Sequence, residues 1–121
     1  MAQSPLYTTR GEAVGLFVDG YLYNMLGEWI GWTDQQGQVF SVAGEYVGWL
    51  RKDGRVLRKR VIEETIPRRK PPPRPPKFKI PATLPLPPLM AEIGHDTIDM
   101  FEEMPERLYT VDADPNAKDI D

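Results

Sequence analysis

Apolar and polar residues recur with a fixed period through the first half of the chain. Written in phase, residues 6–21, 22–38 and 39–55 form three units of 16 or 17 residues, and a fourth unit starts at Val56. Each of the three complete units has an apolar–aromatic pair, then Gly-Glu, then x-[Val/Ile]-Gly-[Leu/Trp], then a polar turn that ends in Gly. Three in-phase copies of this motif indicate a true internal repeat.

The length of the unit predicts one β-hairpin per repeat, with strands near YLYNM and EWIGWT in the second copy. Asp-Gly pairs supply the positive φ that tight hairpin turns need. The glycines at the second motif position predict strands that crowd near a common axis. Strict alternation predicts a core face comprising Val14, Leu16, Ile30, Trp32, Val47 and Trp49. The opposite face then carries Ala13, Trp29 and Tyr46.

The repeated GExxG[W/L] hairpins resemble the four-fold β-flower domain, because each has the aromatic pair before it and a DG-type turn after it. In that family, four short hairpin repeats surround a pseudo-four-fold axis. The resemblance covers about residues 5–66 and implies neither a settled activity nor catalytic residues. In the fourth unit Val61-Ile62 stand in place of Gly-Glu, so the closure of the ring by that quarter is an open question.

The amino-acid composition of the chain changes after residue 66, since ten of the thirteen prolines fall in residues 67–88. Proline blocks helices and central strands, so this segment is predicted to be an extended, basic linker or arm. A stiff spacer or wrapping arm is favoured over an SH3-type ligand. The sequence predicts a short amphipathic helix over residues 89–105, which Pro105 ends. It predicts an acidic disordered tail over residues 106–121.

The predicted fold class is therefore all-β. A small pseudo-four-fold domain of 16–17-residue hairpin repeats (residues 1–66) is followed by the extended proline-rich arm and a short C-terminal helix.

Charge is segregated along the chain, although the net charge is only −3. Residues 51–79 hold twelve Lys/Arg against three acids, whereas the flanking segments are acidic. Such a segment could bind nucleic acid through phosphate contacts. Glu63 and Glu64 interrupt it, however, and the acidic pI of 5.2 is unlike that of a dedicated nucleic-acid binder. Nucleic-acid binding by residues 51–79 is therefore the alternative function.

Candidate chemistry is sparse. The chain has no cysteine, and its one histidine, His95, lies outside the repeats, which excludes Cys and Ser–His nucleophiles from the repeat domain. The equivalent Glu12, Glu28 and Glu45 could form a carboxylate ring for a cation, but solvated turn residues are the simpler interpretation. We predict a protein that is not an enzyme and that has no cofactor and no metal.

The aromatic content favours a binding function, because nine of the twelve aromatic residues lie in the repeats. Those on the second face need a cover, from an oligomer mate, a larger protein or the chain's own run IPATLPLPPLM. We predict a non-catalytic accessory or assembly subunit that docks on a larger protein or multisubunit complex and wraps it with the arm. A homo-oligomer is a further option. The predicted partner-binding residues are Trp29, Tyr46, Arg68, Arg69, Lys70, Arg74, Phe78 and Phe101.

The predicted location is the cytoplasm, without membrane contact. The N-terminal residues lack the basic and apolar regions of a signal peptide, and no run approaches the roughly 20 apolar residues of a membrane span.

Overall fold

One antiparallel sheet of eight strands, hydrogen-bonded in sequence order, makes up most of the molecule. The computed structural model describes residues 3–61 and 66–113. The strands are β1 (Gln3–Tyr7), β2 (Ala13–Val18), β3 (Tyr21–Asn24), β4 (Trp29–Thr33), β5 (Gln38–Ser41), β6 (Tyr46–Leu50), β7 (Val56–Lys59) and β8 (Thr97–Asp99). The one α-helix within these described ranges, α1 (Met100–Glu103), precedes two 3-10 turns, Pro105–Arg107 and Val111–Ala113. The predicted all-β fold with a short C-terminal helix is confirmed.

Consecutive strands form four hairpins, β1–β2, β3–β4, β5–β6 and β7–β8, one for each repeat. The strands predicted near YLYNM and EWIGWT are β3 and β4. Asp19 and Gly20 join the first repeat to the second, with φ of 49° and 88°, as a two-residue hairpin turn requires. No helix among the described residues has the length and apolar character to cross a membrane.

A β-bulge recurs at one position of the first three repeats. Tyr23 pairs with Trp29 while Leu22 pairs with Gly31, so Ile30 is an extra residue in β4. The same shift leaves Val14 extra in β2 and Val47 extra in β6. A bulge puts two consecutive residues opposite one and bends its strand. Each hairpin therefore bends at the residue before its second glycine.

The prediction of which residues share a strand face was wrong, and the bulge is the reason. Strict alternation put Trp32 and Ile30 together and Trp29 opposite, but Trp29 and Trp32 pack in one cluster and Ile30 in another. The extra residue shifts the alternation by one, so the side chains before and after Ile30-Gly31 point the same way. Trp49, also predicted as core, is half-buried and belongs to neither cluster.

The centre of the molecule is an apolar cluster built from equivalent positions of the repeats. The first apolar residue of each repeat is fully buried there: Leu6, Leu22, Val39 and Val56. Bulge residues Ile30 and Val47 join them, and Met100 completes the set from the C-terminal segment. We call these side chains, with Ile98 and Leu108, the central cluster. Equivalent residues of four hairpins thus meet at the pseudo-four-fold axis.

The second glycine of each motif permits a close approach between neighbouring hairpins. A Cβ on Gly15 would overlap the backbone carbonyl of Tyr23, and a Cβ on Gly48 would overlap that of Leu57. On Gly31 it would lie 2.7 Å from the carbonyl oxygen of Phe40. The predicted crowding is therefore backbone against backbone.

The fourth hairpin is split by a long insertion. Its first strand, β7, pairs with β8 through Leu57–Asp99, Arg58–Ile98 and Lys59–Thr97, although residues 60–96 separate the two strands. The domain predicted to end at residue 66 thus takes its last strand from residues 97–99, within the predicted helix 89–105. The helix itself is confined to Met100–Glu103, where the side chain of Asp99 caps the amide of Phe101.

Part of the predicted disordered tail is ordered. Leu108 is 7% exposed and packs in the central cluster, immediately after the turn Pro105–Arg107. Residues 114–121 of the tail, and Ile62 of the degenerate fourth motif, lie outside the described residues.

Two buried charged side chains connect the last hairpin to the first. Asp99 is 2% exposed and accepts hydrogen bonds of 2.7 Å from both the amide and the hydroxyl of Thr9. Arg55, fully buried, donates two hydrogen bonds to one carboxylate oxygen of Asp53, a third to the Thr9 hydroxyl and a fourth to the carbonyl of Ala91. Buried charges require such partners. This network closes the ring and anchors the end of the insertion.

The close approach predicts that Gly48→Ala destabilises the fold strongly. The new Cβ would overlap the Leu57 carbonyl, so strands β6 and β7 must separate, at a cost of about 3 kcal/mol in the free energy of unfolding. Gly94→Ala is the control, because its Cβ would meet only the end of the Asp96 side chain, at 2.9 Å. Denaturant unfolding of both variants measures the difference, and equal losses would contradict the assigned packing.

The ring closure predicts a large effect of Arg55→Met. The substitution leaves the Asp53 carboxylate without its buried partner, which costs about 3–5 kcal/mol of unfolding free energy. Arg51→Met is the matched control, since Arg51 contacts the same carboxylate at 3.3 Å from a side chain that is 42% exposed. Exposed ion pairs contribute about 0–1 kcal/mol. A similar loss in both variants would show that Arg55 has no special role.

The same pair predicts a difference in acid stability. Burial alone raises the pKa of Asp53, but the hydrogen bonds and charge of Arg55, and the charge of Arg51, outweigh it and leave the pKa below its usual value. Ionised Asp53 therefore stabilises the fold above about pH 4, and this contribution is lost as the pH falls through the folded-state pKa. We expect a smaller loss on acidification in Arg55→Met than in the wild type, measured by denaturant unfolding from pH 6 to about pH 2.5.

Candidate partner-binding surface

The insertion passes across the turns of three repeats in reverse order. The amide of Arg69 donates to the carbonyl of Gly44 in the third repeat, and the amide of Phe78 donates to that of Gly27 in the second, both at 2.9 Å. Pro87 lies against Gly11 in the first. These contacts are nine residues apart along the segment, which we call the strap (residues 66–93). The predicted arm therefore lies on its own domain.

The turn glycines make room for this segment. Gly27 and Gly44 have φ of 79° and 87°, a conformation that is easy only for glycine. A Cβ on either would also overlap a strap carbonyl, that of Phe78 or that of Arg69. The Gly of the Gly-Glu motif thus serves the hairpin turn and the docking of the strap.

The strap contacts the aromatic member of each apolar–aromatic pair. The Arg69 guanidinium carbon lies 5.0 Å from the centre of the Phe40 ring, and the Phe78 ring lies 5.3 Å from that of Tyr23. The Tyr7 hydroxyl donates a hydrogen bond to the backbone carbonyl of Pro85 in the strap. Ile80 and Leu84 of the strap, together with Tyr109 and Val111 of the C-terminal segment, pack against this outer cluster, which contains Leu16, Val18, Tyr23, Trp29, Trp32, Phe40 and Val42. The sequence left three possible covers for the aromatic face: an oligomer mate, a larger protein or the chain's own run IPATLPLPPLM. In the structure, Ile80 and Leu84 of that run pack on this face.

Trp29 and Tyr46, predicted as partner anchors, are largely engaged within the fold. Trp29 is 6% exposed, and its indole nitrogen donates to the carbonyl of Gly31 at 2.6 Å. Tyr46 is half-buried and meets the Phe40 ring edge-on at 6.1 Å. Burial raises the pKa of Tyr46, and the charge of Arg58 opposes that shift. Partner binding by these residues stays a prediction.

Two of the predicted charge contacts bind the domain's own acids. Arg68 contacts the Glu45 carboxylate at 3.3 Å, and Arg69 contacts that of Asp34 at 3.0 Å. Because the Asp34 side chain is only 8% exposed, the second pair is better shielded from water than an ordinary surface pair. Arg69 combines this pair with its backbone hydrogen bond and its contact with Phe40, so it is a principal anchor of the strap.

The remaining predicted site residues differ in their surroundings. Arg74 lies 3.9 Å from the Asp112 carboxylate with both side chains exposed, and Lys70 lines a shallow groove next to Tyr21 and Trp32. Phe78 packs under the strap, as described above. Phe101 is half-buried against the central cluster. The eight residues therefore do not form one surface.

Ion pairs neutralise much of the basic segment. Within the described residues, seven of the twelve cations in residues 51–79 contact a carboxylate of the same molecule. Lys77 and Lys79 are exposed and form no ion pair there. Much of the charge that made nucleic-acid binding an alternative is thus used in folding.

The carboxylates of the Gly-Glu motifs have separate uses. Glu28 accepts a hydrogen bond from the Asn24 amide, whereas Glu45 accepts from Arg68 and from the Tyr109 hydroxyl. Across residues 3–61 and 66–113, no three His, Asp or Glu side chains are grouped as a metal site would require. His95 is exposed, and its carbonyl accepts from Arg60.

Two exposed apolar residues escaped the sequence analysis. Met25 and Leu26, at the tip of the β3–β4 turn, are 45% and 69% exposed. A comparison of the repeats could have identified them, because only the second repeat has two large apolar residues before its Gly-Glu. The equivalent positions hold Thr9-Arg10 and Val42-Ala43. Arg55 was also missed, since nothing in a turn sequence such as KDGR indicates that its arginine is buried.

Comparison with known proteins agrees with the architecture. Residues 4–98 match the family model described as "4-fold beta flower protein". This range extends past the repeats to include the strap and most of β8. No curated protein and no solved structure matches the chain. Because the match spans more than half of the sequence and ends within the split fourth hairpin, the chain belongs to the four-fold β-flower family.

Proposed function

We propose that this β-flower protein is a non-catalytic accessory or assembly subunit that binds a larger protein or multisubunit complex. One observation carries the proposal: large apolar side chains stay exposed after the strap has covered the aromatic face. Among the described residues they are Met25, Leu26, Val61, Leu86 and Leu89, exposed by 45%, 69%, 74%, 90% and 100%, and all but Val61 lie on the strap or on the β3–β4 turn beside it. Burial of apolar area drives protein association.

The position of the strap changes how a partner would be held. An arm already docked on its own domain gives an outer surface that needs little ordering on binding, which reduces the entropic cost of association. The partner would then bind across the strap and the adjacent turns. A cytoplasmic location is part of this proposal.

The buried carboxylates favour a role without catalysis. Asp99 accepts from Thr9 and caps α1, and Asp53 is held by Arg55. Both groups therefore hold the ring closed, and neither is left to exchange a proton with a substrate. The internal ion pairs of residues 51–79 likewise weigh against nucleic-acid binding, because each phosphate contact would compete with a native carboxylate.

Affinity purification of the tagged full-length chain from native lysate tests this function. We expect a partner protein to co-purify in stoichiometric amount and to stay bound at about 0.3 M salt, because salt screens interactions between charges but not apolar contacts. A variant in which Met25, Leu26, Leu86 and Leu89 are changed to serine should lose it. The control changes four exposed polar residues to serine: Gln35, Gln36, Lys52 and Thr83.

Recovery of nucleic acid alone, released between about 50 and 200 mM salt, would overturn the proposal in favour of the alternative. Retention of the partner by the apolar-to-serine variant would show that these side chains are not the contact. Circular dichroism of each variant confirms that the fold is intact, which we expect because every altered side chain is exposed.

A further inference from the structure

The second repeat presents a surface that the third repeat lacks. At the tip of its hairpin turn Leu26 is 69% exposed, whereas the third repeat has Ala43 there, beside the buried Val42. The strap passes both turns with the same backbone hydrogen bond, through Phe78 and Arg69. The difference between the two repeats therefore lies in their side chains.

Side chains of the strap and of this turn line one open groove. Its volume is about 460 Å³, and its lining residues are Met25, Leu26, Lys77, Phe78, Lys79 and Ile80. Successive side chains of an extended chain point in opposite directions. Phe78 and Ile80 accordingly pack toward the domain, while Lys77 and Lys79 point to solvent. The groove has apolar walls and two cations at its rim.

These two cations lack the acidic partner that the third repeat provides. By the nine-residue spacing Lys77 is equivalent to Arg68, and Glu28 is equivalent to Glu45. Arg68 contacts Glu45 at 3.3 Å, but Glu28 accepts from Asn24 instead. Among the residues that the structure describes, neither Lys77 nor Lys79 has an ion-pair partner, although the chain carries a net charge of −3.

We propose that this groove binds an extended, acidic segment of a protein partner that carries apolar side chains. The segment's apolar side chains would pack on Met25, Leu26 and the outer edge of Phe78. Its carboxylates would pair with Lys77 and Lys79, giving the complementary charge that steers binding and fixes orientation. The inference rests on the proposed function and names the chemistry of the partner.

The shape of the site favours a polypeptide over a membrane surface. A groove between a hairpin turn and a strap holds a narrow chain, whereas a flat bilayer would reach only the tip residues. The protein's net negative charge also opposes approach to anionic lipid. A bilayer is therefore the outcome that the test must separate from a peptide.

Fluorescence polarisation with synthetic peptides on the full chain tests the inference. We expect a labelled peptide of alternating leucine and glutamate to bind, and peptides of leucine–lysine or serine–glutamate to bind about tenfold more weakly or less, because each lacks one half of the complementarity. The double variant Lys77→Glu, Lys79→Glu should lose the first peptide and gain affinity for leucine–lysine.

The control variant Lys52→Glu, Gln35→Glu, Gln36→Glu makes the same change in net charge at exposed positions outside the groove, and it should bind like the wild type. Equal weakening in the Lys77, Lys79 variant and in this control would overturn the inference, since the effect would then be one of overall charge. So would binding to phosphatidylserine vesicles without binding to the peptide. If a purified partner survives the Lys77 and Lys79 reversals, the proposed function stands and this groove is not its site.

Discussion

The close backbone approach between neighbouring hairpins is the constraint on which the structure depends. At Gly15, Gly31 and Gly48, the next hairpin's carbonyl occupies space that any side chain would fill. The preceding bulge bends the strand, so the extra residue, such as Ile30, enters the centre. Bulge and glycine act together, because one bends the hairpin and the other admits its neighbour. The equivalent valines and leucines can then meet in one small apolar cluster.

A ring built in this way needs a fourth unit, and the chain supplies it in two pieces. Without a strand on the far side of β7 from β6, Val56 and Leu57 would lie at an open edge of the sheet, whereas they are 0% and 1% exposed here. Strand β8 covers them, and Met100 takes the place that Ile30 and Val47 hold in their repeats. The strap is the consequence, since the chain must travel from β7 to β8, and it does so across the other three turns.

The repeats could be read from the sequence because the motif combines local turn chemistry with a strict period. The assignment of faces failed at Trp32, since alternation cannot reveal a bulged residue whose side chain is as apolar as its neighbours. Strand β8 was missed because three residues, Thr97–Asp99, are too few to show a period. The docking of the strap was left open because polyproline segments have no internal hydrogen-bond pattern, and their partners lie far away in sequence.

The docking of the strap on the repeats explains why acidic and basic residues are segregated along the chain. The acidic repeats and the basic strap are complementary parts of one molecule, and Asp34–Arg69 and Glu45–Arg68 are the contacts that join them. A strap that used all its cations in this way would leave no charged surface of its own. The second repeat departs from the pattern, because Phe78 replaces the arginine over the aromatic ring and leaves Lys77 and Lys79 on either side of it. Two exposed lysines with no ion-pair partner among the described residues cost the fold little, but an exposed Leu26 beside them contributes nothing to holding the ring together, and this is the physical reason for the binding role that we propose for that repeat.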